Sequence, residues 1–115
     1  MKPKIIKICG ITREEDALSA IKYGSNTLGF IFYKKSKRYI EPSKVKKIIQ
    51  TISNTTINKV GVFVDENPDN INKIAKECQL THIQLHGDES PALCKQINYP
   101  IIKAIQVKSE KDIEK

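Results

Sequence analysis

Apolar and polar positions alternate along the chain in two rhythms. Short runs rich in β-branched and aromatic residues recur at residues 5–9, 27–32, 60–64, 82–86 and 101–105. Their length and composition predict five strands. Between them, apolar residues return every three or four positions. Ala17, Leu18 and Ile21 form one stripe, Val45, Ile48, Ile49 and Ile52 a second, and Ile71, Ile74, Ala75 and Cys78 a third. That is the spacing of helices with one buried face. Each strand is followed by a helix-start signal. Thr12 and Glu15 have the spacing of a capping box. Pro42 fits a first helical position. Asn67-Pro68 and Ser90-Pro91 read as an N-cap followed by its first helical residue. Ser109 with Asp112 opens a fifth helix.

Strand and helix thus alternate, and no Asn-Gly or Asp-Gly hairpin interrupts them. Such alternation implies right-handed crossovers and a parallel sheet. A doubly wound open sheet and a (β/α)8 barrel both satisfy it. The polar positions favour the barrel. In the fourth strand Ile83 and Leu85 alternate with His82, Gln84 and His86, so one face is polar. Lys7 and Cys9 share a face with Ile5 in the first strand, and Lys103 falls with Ile101 and Ile105 in the fifth. A polar set facing inward suits a barrel with a site at its C-terminal rim. A lysine buried there needs an acidic partner, and Asp65 at the end of the third strand is the nearest. Five βα units over residues 1–115 amount to roughly half of an eight-unit barrel. The last helix signal runs less than two turns before Lys115, so the expectation is a single partial domain.

Charge adds a second asymmetry. Up to Ile57 there are 12 Lys/Arg against 4 Asp/Glu, and beyond it 8 against 9. The excess sits in Lys34-Lys35-Ser36-Lys37-Arg38 and in Lys44, Lys46 and Lys47, the latter reading as a solvated helix face. Aromatic residues make up only 6% and no recognition module is present, so a nucleic-acid partner is not expected. No run approaches the ~20 apolar residues of a membrane span, and lysines interrupt any N-terminal signal-like segment. Three widely spaced cysteines fit neither a disulfide framework nor a zinc site, and point to a reducing cytoplasm. Cys78 and Cys94 fall on helical segments and read as core filler.

Ligands of parallel α/β folds bind beyond the carboxyl ends of the strands. That location selects Cys9, the loop carrying Arg38, Asp65, Gln84, His86 and Gln106. Cys9 ends a strand shortly before a helix, whose positive end favours thiolate. It reads as a nucleophile, a general base or plain filler. Arg38 lies in the longest strand-to-helix loop and offers a planar fork for carboxylate or phosphate. His86 reads as a base, a ligand or a satisfied polar group. His82 and His86 are four apart, but on a strand that is about 13 Å, too far to share a metal. No nucleotide-binding glycine motif occurs.

Taken together, "KICGIT", "EDALSAIKYGSNTLGFIFYKKSKRYI", "VGVFV" and "IQLHGDES" resemble phosphoribosylanthranilate isomerase of tryptophan biosynthesis. The resemblance extends from the first strand through "IIKAIQV". It implies a (β/α)8 barrel about twice this length. It implies an Amadori rearrangement of a phosphorylated aminoaldose to a 1-amino-1-deoxyketose, without metal or organic cofactor. An acid opens the ribose ring to a Schiff base, and a base removes the C2' proton. By the resemblance Cys9 is that base, Arg38 holds the anthranilate carboxylate, and Gln84 and His86 line the rim. The family's acid is an aspartate of the sixth strand, and its phosphate site follows the seventh and eighth. None of these matches a position here, so residues 1–115 alone are expected to be inactive. A half-barrel with open strand edges is also expected to self-associate as a homodimer.

Overall fold

In the computed structural model, residues 7–52, 56–85 and 89–103 are described. They form β1 (Lys7–Cys9), α1 (Glu14–Lys22), β2 (Thr27–Ile31), α2 (Pro42–Thr51), β3 (Asn58–Phe63), α3 (Pro68–Cys78), β4 (His82–Leu85), α4 (Pro91–Lys95) and β5 (Ile101–Lys103). The strands make one parallel sheet in the order β1-β2-β3-β4-β5. Sequential order with a helix between each strand and the next is the arrangement of a (β/α) barrel, here a partial one. A doubly wound sheet would instead reverse its strand order at a switch point.

Register sorts the strand residues into two faces. Cys9, Gly29, Val60 and His82 align across four strands, as do Ile31, Val62, Gln84 and Ile102. The alternate positions, Leu28, Phe30, Phe63, Ile83 and Leu85, are all buried to 1% exposure or less and belong to one hydrophobic cluster. Val45, Ile48 and Ile49 of α2 and Ile71, Ala75 and Cys78 of α3 join that cluster. The stripes read from sequence for α2 and α3 therefore pack on this face, whereas in α1 Ala17 and Ile21 join the cluster and Leu18 is 46% exposed. Each large side chain buried there stabilises the fold by about 1.5–3 kcal/mol relative to exposure. Val60 and Val62 are buried but stand outside the cluster, on the inner face. Gly61 lies between them, and a Cβ there would come within 2.6 Å of Leu80 Cδ1. The residue is small because α3's trailing turn presses on the strand. Phe32 and Phe63 stack with centroids 5.1 Å apart beside it.

Two expectations change. Lys103 pairs with Leu85 rather than with Gln84, so by register it does not extend the Gln84 row. The Thr12–Glu15 capping box does not form. The N-cap of α1 is Arg13, with no side-chain cap. The Arg13 guanidinium forks onto Asp16, both contacts at 3.1 Å, with Glu15 at 3.6 Å. That ion pairing occupies the polar groups of the first turn and starts the helix later. The other two caps hold. Asn67 Oδ1 accepts from the Asp69 amide at 2.8 Å, and Ser90 Oγ from the Leu93 amide at 3.2 Å. Helix α1 ends with Gly24 at φ 96°, its amide on the Ile21 carbonyl and that of Ser25 on the Ala20 carbonyl. This paired closure satisfies two last-turn carbonyls. The fifth helix signal, Ser109 to Asp112, lies outside the described residues.

Candidate active site

The end of β1 is shaped by three residues with different tasks. Cys9 is half-buried at the last strand position, on the inner face. Gly10 turns at φ 84°. Its amide and that of Ile11 both donate to the Gly29 carbonyl, at 3.0 and 3.1 Å. Ile11 then drops into the core at 3% exposure. The thiol is thus held at a strand end whose backbone is tied to β2 and anchored below.

The loop after β2 folds back over this point. Ser36 organises it: its amide donates to the Tyr33 carbonyl, its carbonyl accepts from Tyr39, and its Oγ accepts from the Arg38 amide at 3.1 Å. Tyr39 then bridges to Ile31, and the Ile40 amide donates to the Ile31 carbonyl. These turns bring Arg38 back over β1. The Cβ that Gly10 lacks would sit against Arg38 Cδ, 3.2 Å from Nη1 and 3.4 Å from Nε. Cys9 and Arg38, 29 residues apart in sequence, are thereby joined through a single glycine.

The charge around Cys9 differs from the expectation. Helix α1 begins at Glu14, and its first turn carries Glu14, Glu15 and Asp16. The positive end of α1 is met by its own carboxylates, while the guanidinium that packs onto the neighbouring residue belongs to Arg38. Asp16 also lines a cavity of about 420 Å³ with Cys9, Gly10, Ser19 and Tyr23. Its lining comes from β1 and α1 and the turn after it, so Cys9 is approachable from the β1 edge.

Gln84 is half-buried on the inner face, three strands from Cys9 and one row nearer the rim. It is part of the same concave surface without adjoining the β1 end. His86 and Gln106 lie outside the described residues. His82 stands a row lower, its Nδ1 2.8 Å from Thr81 Oγ1, a structural contact at the N-terminal end of β4. Asp65 is exposed, at φ 50°. Its amide donates to Glu89 Oε2 at 2.9 Å, and Glu89 is only 9% exposed. Glu89 thus fastens the loop after β3 to the segment after β4. Neither Gly10 nor Glu89 stood out in the sequence. Gly10 carried a signal, since a glycine between a strand end and an apolar anchor suggests a close approach. Glu89 had none, because an acid beside a helix start reads as solvated.

Cys78 is buried at 1% exposure, with Sγ 3.4 Å from the Pro42 carbonyl oxygen, and Cys94 packs half-buried against the core. Both are filler, as expected. Lys34 lines a cavity of about 290 Å³ together with Glu66, Lys73 and Glu77. The basic loop is there interleaved with carboxylates rather than forming a continuous cationic surface. Among the described residues no helix is long and apolar enough to cross a membrane.

Residues 6–115 match the family model of N-(5'phosphoribosyl)anthranilate (PRA) isomerase. The chain belongs to that family. An N-(5'-phosphoribosyl)anthranilate isomerase of Bacillus mycoides is 51% identical over 109 residues, which cover 95% of this chain and 52% of the relative. A solved structure of monomers generated from the dimeric phosphoribosylanthranilate isomerase of Thermotoga maritima superposes with a TM-score of 0.85. It is 42% identical, and the match covers 97% of this chain and 58% of that one. A phosphoribosyl anthranilate isomerase in complex with reduced 1-(o-carboxyphenylamino)-1-deoxyribulose 5-phosphate gives a TM-score of 0.86 at 43% identity, with coverage of 97% and 58%. The chain spans about half the length of the curated relatives it matches. The five-stranded parallel sheet is accordingly part of the α/β barrel those structures share.

Proposed function

We propose that this chain supplies the base and the carboxylate clamp for the isomerisation of N-(5'-phosphoribosyl)anthranilate to the carboxyphenylamino-deoxyribulose phosphate. The observation that carries the reading is the packing of Arg38 onto Gly10, beside Cys9. Arg38 holds the anthranilate carboxylate through its planar fork. That anchors the ring so that C2' of the opened sugar comes to the Cys9 sulfur. Cys9 removes the C2' proton as general base. The electron pair forms the enolamine, which tautomerises to the ketone. Gln84 stands on the same inner face, three strands away, and by the resemblance His86 joins it in lining the rim. The relative solved with a reduced deoxyribulose phosphate supports a small phosphorylated aryl-carboxylate as ligand.

By the resemblance, the acid that opens the ring and the phosphate site come from the sixth to eighth strands. Residues 1–115 alone are therefore expected to show no enzymic turnover. Intact mass of the purified protein comes first. With a mass near 13.0 kDa, turnover should be absent and should appear when the remaining barrel half is co-expressed. With a mass near twice that, turnover should be present, lost in Cys9→Ser, and shifted to higher KM in Arg38→Ala. Full activity of the larger protein after Cys9→Ser would refute the base assignment.

A second reading rests on the sheet edges. Strands β1 and β5 end the sheet, and Ile102 is 41% exposed on β5. Unpaired edges invite pairing with another copy. A 13.0 kDa protein is then a catalytically incomplete half-barrel that dimerises through those edges. Light scattering that returns a monomer at all concentrations would exclude it.

A further inference from the structure

We propose that Gly10 is a positioning residue for Arg38: by lacking a side chain it seats the guanidinium over the residue that follows Cys9. The inference rests on the reading of Arg38 as the carboxylate clamp and goes one step behind it. Two features of Gly10 are separable. Its φ of 84° is a backbone angle that L side chains rarely adopt. Its missing Cβ is a matter of space, since that position is already taken by Arg38 Cδ, with Nη1 at 3.2 Å and Nε at 3.4 Å. The atoms in the way belong to the far end of a flexible, exposed side chain. A methyl group at Gly10 would therefore move Arg38 rather than break the fold.

The rest of the loop leaves Arg38 few other anchors. Its backbone is fixed through its amide on Ser36 Oγ and through the Tyr39 and Ile40 contacts to Ile31. Nothing in those bonds selects where the guanidinium goes. The two amides that Gly10 and Ile11 place on the Gly29 carbonyl fix the surface on which it rests. Placement of the cation thus depends on the residue that follows β1, although the cation comes from the loop after β2.

The test needs no turnover and works on the 115-residue chain. Cys9 is alkylated with iodoacetate and, separately, with iodoacetamide, and both rates are read by mass spectrometry of the Cys9 peptide. A Cys94→Ser background removes the other half-buried thiol, and Cys78 is buried. The ratio of the two rates cancels changes in the thiol itself and reports whether a cation receives the reagent's carboxylate. Arg38→Ala should lower the iodoacetate-to-iodoacetamide ratio about fivefold. Gly10→Ala should lower it to the same value, and the double variant should go no lower. An unchanged ratio in Gly10→Ala, with the ratio lowered in Arg38→Ala, would overturn the proposal and leave the clamp standing. An unchanged ratio in Arg38→Ala would overturn the clamp and the proposal together. If Gly10→Ala fails to fold, thermal melting of Gly10→Ala/Arg38→Ala decides. Recovery of the fold supports a conflict with the arginine, and equal loss shows that the glycine serves only its own backbone angle.

Discussion

The two faces of the sheet are built from the same five strands and do opposite things. On the helix-covered face, Leu28, Phe30, Phe63, Ile83 and Leu85 are essentially without solvent contact. Helices α2 and α3 supply their partners from within these residues. On the inner face, burial is incomplete. Thr27, Val60 and Val62 are buried, whereas Ile31, His82 and Gln84 are half-open and Ile102 is 41% exposed. The difference separates folding from function. The outer face holds most of the buried core and carries the stability, while the inner face holds the Cys9 and Gln84 positions and stays partly open.

The sharpest way to break this comparison is to cut into the outer face. Phe30→Ala should cost about 3–5 kcal/mol, enough to unfold a marginal chain, as read by urea denaturation. A loss under about 1 kcal/mol would mean the helix-covered face does not hold the fold. The next effect is alkaline. Burial pushes the Cys78 thiol up from 9.0 to about 11, with Glu77 adding to the effect and Lys46 opposing it. The folded chain keeps that proton while the unfolded chain releases it. The stability is therefore fully present below about pH 9 and falls as the pH rises toward 11, by at most about 1.4 kcal/mol per pH unit. Urea midpoints of Cys78→Ala should show a shallower decline over the same window. Parallel declines would show that α3 is looser against the sheet than its burial implies. The smallest effect is expected on the inner edge. Ile102→Ser should change stability by no more than about 0.5 kcal/mol, and a larger loss would mean that β5 is covered in solution, as edge pairing between copies would require.

The fold was largely legible because its periodicities were clean. The helices begin at Pro42, Pro68 and Pro91, where the proline signals put them, since proline at the first helical position has its φ preset and needs no hydrogen bond for its nitrogen. The start of α1 was misread because Thr12 and Glu15 have the spacing of a capping box, while an overlapping pair at the same spacing, the Arg13 fork on Asp16, forms instead. Lys103 was misplaced for a related reason. Alternation along one strand assigns parity, but only the register with β4 says which parity faces inward.

Of the candidate site, Cys9 and Arg38 were visible as residue types at strand-end positions, and their adjacency was not. Neither spacing nor composition links residue 9 to residue 38. The link exists because Ser36 closes a turn, Ile40 returns to β2, and β1 pairs with β2 in one register. By itself the sequence determined the order of elements, their amphipathic faces and most of their caps, because these depend on residues within a few positions of one another. Tertiary structure alone decided which residues share the inner face, that Glu89 would hold Asp65, and that a glycine would lie under an arginine. Those outcomes depend on strand register and on space left between segments far apart in the chain, and no local pattern records either.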